Sequence, residues 1–292
     1  MDKIIKAILF GGKARVAFID TTETVNKAIK VHDLTPLAAA ALGRSLTVGA
    51  YIESNLKHET NKFNLIINGG GPIGKIYVTS DRVGTVKGLV ENPQVDLPLR
   101  EDGKLDVGGA VGINGDIVII KDLGLKEPYV GRSALVSGEI AEDYNNYLFK
   151  SEGILNAVAL GVLNDKDGCK AAGGIIVEAM PDADDNIIVV LEDIMTNFTN
   201  ISAMIAEKGI DEIANYYFGH LDAEFFPEQS VQFRCDCWHK VRRIIKSLGR
   251  KEVEDIMKEQ GMLEIKGDYC RKNYVYTEKD LDYLFEEDNK WG

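Results

Sequence analysis

Arg234-Cys235-Asp236-Cys237 is the stretch whose residue types and spacing carry the most chemistry. Side chains alternate along an extended segment, so two thiols one residue apart point to the same side. Together they can grip one soft metal ion or oxidise to a short disulfide. Zinc takes four ligands in a tetrahedron, and Cys270, 33 positions after Cys237, can supply a third. A second zinc pair is usually Cys-x-x-Cys, which would put its first cysteine at 267, and that residue is Gly267. The plainer alternative is three buried or merely reduced thiols. The fourth cysteine, Cys169, stands alone after the turn Asp165–Gly168 and reads as a passive thiol at a strand start.

Other motifs weigh less. Gly69-Gly70-Gly71-Pro72-Ile73-Gly74 matches the glycine fingerprint of dinucleotide-binding folds letter for letter. That fingerprint needs a helix N-terminus next, whereas Lys75–Val78 reads as a strand, so a glycine turn between strands is expected. There is no nucleophile elbow, zincin pair or Walker loop. The four histidines, His32, His58, His220 and His239, show no catalytic spacing, and Asp122, Glu142 and Asp143 read as solvated carboxylates. A non-enzymatic protein is expected. The run His239–Lys251 has six bases and no acid, split at Gly249. It suggests either a helix-turn-helix or, with less demand on the acidic chain, a solvated basic face balanced by Glu252, Glu254, Asp255 and Glu259.

The elements that must position these residues follow from periodicity. Apolar and β-branched runs predict strands at Lys3–Phe10, Ala14–Ile19, Phe63–Asn68, Lys75–Thr79, Thr85–Val90, Asp116–Lys121, Ala157–Leu163 and Ala171–Ala179. Helical spacing marks Thr22–Val31, with Thr21 as N-cap, and Pro36–Leu56, rich in Ala and Leu. It also marks Glu139–Phe149, Ile187–Lys208 and 211–218. Near the end come helices at His239–Leu248 and Lys251–Gln260, a hairpin within Leu263–Tyr276 and a helix at Glu278–Glu286. The expected class is α+β: a twisted, mostly antiparallel sheet with packed helices, a helical connector and a small C-terminal zinc or redox domain.

Composition sets the frame. Of 292 residues 45% are apolar, enough for a buried core, and the net charge is -12. Residues 233–292 hold 13 bases and 13 acids, so residues 1–232 hold 21 bases and 33 acids and carry the whole imbalance. Such an acidic body disfavours nucleic acid and anionic membranes. No apolar run reaches the roughly 18 residues of a spanning helix, and the start shows no signal peptide. A cytoplasmic protein with reduced thiols is expected. The charge seam and element pattern suggest a core domain at 1–180, a connector at 181–232 and a thiol-bearing domain at 233–292.

Taken together, the chain resembles the redox-regulated 33-kilodalton heat-shock chaperone family of bacteria. The resemblance runs nearly end to end. It rests on Ala41–Arg44, Gly69–Gly74, Asn92–Leu99, Gly103–Val107, Lys121–Leu125, Leu135–Asp143, Leu160–Leu163, Ala171–Gly174 and Cys235-Asp236-Cys237. It implies an ATP-independent holdase that binds unfolding client proteins and holds one zinc through four thiolates when reduced. Oxidation to two disulfides then releases the zinc, unfolds the C-terminal domain and connector, and yields an active homodimer. The family's third cysteine maps onto Gly267, leaving Cys270 without a near partner and only the Cys235–Cys237 disulfide available. Zinc then binds through Cys235, Cys237, Cys270 and water or His239, or binds weakly, or the site is degenerate and regulation is not by redox. Weakened zinc binding is the expectation. A zinc-ribbon-like nucleic-acid-binding protein is the less favoured alternative.

Overall fold

The computed structural model describes every residue except 81, 82, 236 and 286–292. The chain divides into two compact units, Met1–Arg234 and Cys235–Gly292.

The first unit begins with strands β1 (Lys3–Leu9) and β2 (Ala14–Asp20), then helices α1 (Thr22–His32) and α2 (Pro36–Ser54). Strands β3 (Lys62–Asn68), β4 (Ile76–Ser80) and β5 (Thr85–Val90) precede the short helix α3 (Val107–Val111). Then come β6 (Asp116–Asp122), β7 (Tyr129–Ala134), α4 (Ala141–Glu152), β8 (Asn156–Asp165) and β9 (Gly168–Ala179). Helices α5 (Asp185–Met195) and α6 (Ile201–Phe218) are followed by two-residue strands β10 (Glu224–Phe225), β11 (Gln229–Ser230) and β12 (Gln232–Phe233). The expected sheet is two sheets. One runs β10-β1-β2-β9-β8, with β11 also on β1; the other runs β12-β5-β4-β3-β6-β7. Pairing is antiparallel throughout except β12 with β5.

Helix α2 lies against strands of both sheets. From Leu37 to Glu53 only Arg44 escapes full burial, as an all-round apolar helix requires. The Thr35 hydroxyl caps it, accepting from the Ala38 amide at 3.2 Å. Alternation in the first sheet then builds two cores. Ile4, Ala17, Ile19 and Ile176 face α2, while Ile5, Ala7, Leu9, Val16, Phe18 and Val177 pack with α5 and α6.

Several local expectations are corrected. The helix expected at Ile187–Lys208 breaks at Thr196–Asn200, and α5 and α6 meet at a bend of 111°. The side chains of Thr196 and Asn197 bond to the carbonyls of Asp193 and Ile194, satisfying the backbone that would otherwise continue the helix. The bend brings both helices' apolar faces onto one side of the sheet. Gly209 (φ +73) kinks α6 and joins the separately expected segment 211–218 to it. Thr21 does not cap α1 through its side chain; the Asp2 carboxylate accepts from the Glu23 and Thr24 amides instead, at 2.8 and 2.6 Å. Asp143 is fully buried rather than solvated and accepts from the amides of Val136, Ser137 and Ile140, shaping the turn into α4. No single helix among the described residues is long and apolar enough to cross a membrane.

The glycine fingerprint joins β3 to β4, and its physical role is close backbone approach. Cβ atoms at Gly69 and Gly71 would collide with the carbonyl oxygens of Gly112 and Ala110. The Gly71 and Ile73 amides donate to Val111 and Ala110 at 2.9 and 3.1 Å, lacing the turn to α3.

The second unit contains α7 (Cys237–Leu248), α8 (Arg250–Gln260), the hairpin β13 (Leu263–Lys266) and β14 (Asn273–Tyr276), and α9 (Leu281–Phe285). Its core is Val241, Ile245, Val253, Met257, Leu263, Tyr276, Leu281 and Leu284. The basic run is not uniformly a solvated face. Arg242 is buried, and its guanidinium donates to the Leu284 and Tyr283 carbonyls at 3.2 and 3.1 Å, satisfying the end of α9. Arg250 pairs with Glu254 and Asp282. The last residue of the helix expected at Glu278–Glu286 lies outside the described residues.

Gly71→Ala is expected to destabilise the first unit by about 1–3 kcal/mol, because backbone rather than a flexible side chain must give way. An unchanged urea midpoint would show that the turn is not held by this approach.

Candidate thiol and metal centre

Cys237 is the first residue of α7, and Cys235 lies two positions before it, their Cα atoms 5.5 Å apart. The two sulfurs therefore converge at a helix start, where free amides favour negative charge, and not along an extended strand. They are paired as a disulfide. Cys270 stands in the loop between β13 and β14. That loop is closed by the Gly267 amide donating to Lys272 at 2.9 Å and the Arg271 amide donating to Gly267 at 2.8 Å. The Sγ atoms of Cys235, Cys237 and Cys270 all lie within 4.8 Å of one another. Cys237 is buried and the other two are half-buried.

Position 267 faces this cluster directly. A Cβ built there would stand 2.6 Å from the Cys270 sulfur and 3.4 Å from that of Cys237. His239 is exposed, its ring against Trp238, and it is not a member of the cluster. Sulfurs bound to one zinc at about 2.3 Å sit roughly 3.8 Å apart, so reduction of the Cys235–Cys237 bond and a small separation of those two sulfurs would let the three thiols hold a tetrahedral metal with one corner left open.

A family model described as Hsp33 protein matches residues 2–277, nearly the whole chain and both units. The chain belongs to the Hsp33 family. Its similarity to curated Hsp33-family relatives is correspondingly continuous. It is 43% identical to a 33 kDa chaperonin of Clostridium perfringens, over 99% of this chain and 93% of the relative. It is 42% identical to a 33 kDa chaperonin of Clostridium botulinum, over 99% of both. The crystal structure of a 33 kDa chaperonin from Thermotoga maritima superposes with a TM-score of 0.85 at 35% identity, covering 97% of each chain.

Two features of this Hsp33-family chain lie apart from the thiol cluster. In the first unit, buried Glu178 pairs with Arg15 and accepts from the Tyr51 hydroxyl at 2.7 Å, beside a cavity of about 440 Å³. Sequence reading did not single these residues out, because each is separated from its partner by a hundred residues or more, apart from strand alternation. Cys169, the second residue of β9, is buried, with its amide donating to Asn26 at 3.0 Å. Burial pushes its thiol up to about 12, with the acidic groups of Asp2, Asp20 and Asp165 adding to the shift.

Thiolate is the reactive form, so Cys169 is expected to resist alkylation at pH 8 in the native protein and to label once the chain is unfolded. Rapid labelling of Cys169, followed by mass spectrometry of its peptide, would contradict this. A raised thiol pKa contributes stability that is complete below the unfolded value near 9 and is lost as pH rises towards 12. Cys169→Ala is expected to lose less stability over that range than the parent chain.

Proposed function

We propose that this protein is an ATP-independent holdase that binds unfolding client proteins in the cytoplasm under oxidative or heat stress, and that Cys235, Cys237 and Cys270 form its switch. Membership of the Hsp33 family, whose relatives are named chaperonins, carries the chaperone part. The convergence of three thiols at the start of α7 and the β13–β14 loop supports the switch.

In the reduced state Cys235, Cys237 and Cys270 would hold zinc, which when bound would supply folding free energy to a unit of limited core, roughly 10–16 kcal/mol in small domains. Transfer of two electrons from the Cys235 and Cys237 thiolates to hydrogen peroxide forms the S–S bond and breaks the O–O bond, and two protons from solvent complete the two waters. The pair is then no longer available as two thiolates. Cys270 keeps a single thiol, so one disulfide replaces the family's two. Residues 233–292 would act as sensor, 181–232 as connector and 1–180 as client-binding core.

The packing of the connector gives this assignment physical content. Residues of α5 and α6 cover one apolar face of the first sheet. Their release would bare Ile5, Leu9, Val16, Phe18 and Val177, an apolar surface suited to unfolded chains and to a second copy of the protein. Further apolar side chains are already exposed at Leu125, Tyr129 and Val130, on and beside the edge strand β7. The acidic first region would keep such surfaces soluble, and no nucleic-acid or membrane partner is assigned.

The second reading is a chaperone of the same family without a redox switch, favoured by Gly267 at the position facing the sulfurs. One comparison separates them. Peroxide-treated protein is expected to suppress light scattering by a heat-unfolded client several-fold better than thiol-reduced protein, and to run as a dimer. Equal suppression by both forms would retain the chaperone and remove the switch. Suppression by neither would remove the holdase.

A further inference from the structure

The corner of the thiol cluster left open by Gly267 is not surrounded by solvent alone. Tyr274 of β14 pairs with Ile265 across the hairpin, and its ring reaches the β13–β14 loop. Its Cε2 lies 3.4 Å from the position of a Cβ at 267, and its hydroxyl is 3.7 Å from the Cys270 sulfur. The ring is half-buried against the core of the unit, so the oxygen is carried by a positioned side chain. Among the described residues His239 lies outside the cluster, whereas the Tyr274 hydroxyl stands beside the Cys270 sulfur.

We propose that Tyr274 supplies the fourth group of the metal site in place of a fourth cysteine, so that the reduced centre is three sulfurs and one phenolic oxygen. This rests on the reading of Cys235, Cys237 and Cys270 as metal ligands. Gly267 and Tyr274 then form one arrangement: without a side chain at 267, the tyrosine ring approaches the sulfurs from the opposite strand. A phenolic oxygen is a harder donor than a thiolate, so the site binds soft ions less tightly than four thiolates would. It also leaves Cys270 with a neighbour that cannot form a disulfide.

Cobalt(II) titration of the full chain, reduced and kept free of oxygen, tests this, with zinc affinity read by chelator competition. The parent protein is expected to bind one cobalt with the visible bands of a four-coordinate ion and charge-transfer intensity of three thiolates. Tyr274→Phe keeps the ring in place and is expected to lower metal affinity about tenfold or more and to shift the visible bands. Gly267→Cys is expected to raise charge-transfer intensity in the ratio of four sulfurs to three. In that background Tyr274→Phe should be silent. Recovery of affinity in the Gly267→Cys/Tyr274→Phe chain shows that the loss in the single variant is not misfolding. Identical affinity and spectra for the parent and Tyr274→Phe would overturn the proposal while leaving a metal site of three thiols. No cobalt uptake by the reduced parent would overturn both.

Discussion

The meeting of three sulfurs between the start of α7 and the β13–β14 loop is the constraint around which the second unit is organised. About 60 residues bury only a modest fraction of their unfolded surface, and such units commonly depend on a staple. The core here is one small group of apolar side chains with Arg242 satisfying the end of α9. The Cys235–Cys237 bond lies within the beginning of the unit, and a metal shared with Cys270 would tie that beginning to the hairpin.

The first unit is built differently and needs no staple. Helix α2 is buried against both sheets, and the first sheet is covered on its other face by α5 and α6. The second of these cores depends on helices that follow the last long strand in sequence and can be removed without cutting any strand between β1 and β9. The backbone contact of Gly69 and Gly71 with the end of α3 explains the glycine-rich motif by close packing.

Long strands and α2 were legible in the sequence because burial on one face, or on all faces, writes directly into apolar periodicity. Local polar competition is harder to read. The break at Thr196–Asn200 depends on side chains bonding to nearby carbonyls, and the apolar spacing of α5 and α6 continues across it. Strand β7 was missed because Gly131 and Arg132 interrupt its pattern, although glycine is needed there, since a Cβ would collide with the Tyr147 hydroxyl. The two-residue strands β10, β11 and β12 carry too few side chains to show any period. The Asp2 cap on α1 joins residues more than twenty positions apart, beyond the reach of a local capping signature.

The sequence by itself determined the kind of chemistry and its principal atoms. Two thiols one residue apart, a third far along the chain and a glycine at the expected fourth position are facts of residue type and spacing. Only the tertiary structure decided how these atoms meet. It drew Cys270 to the other two sulfurs, turned position 267 towards them, left His239 outside and brought Tyr274 across the hairpin. Ligand identity is a property of residues along a chain. Ligand geometry is set by strand register and helix packing, which depend on every contact in the unit at once.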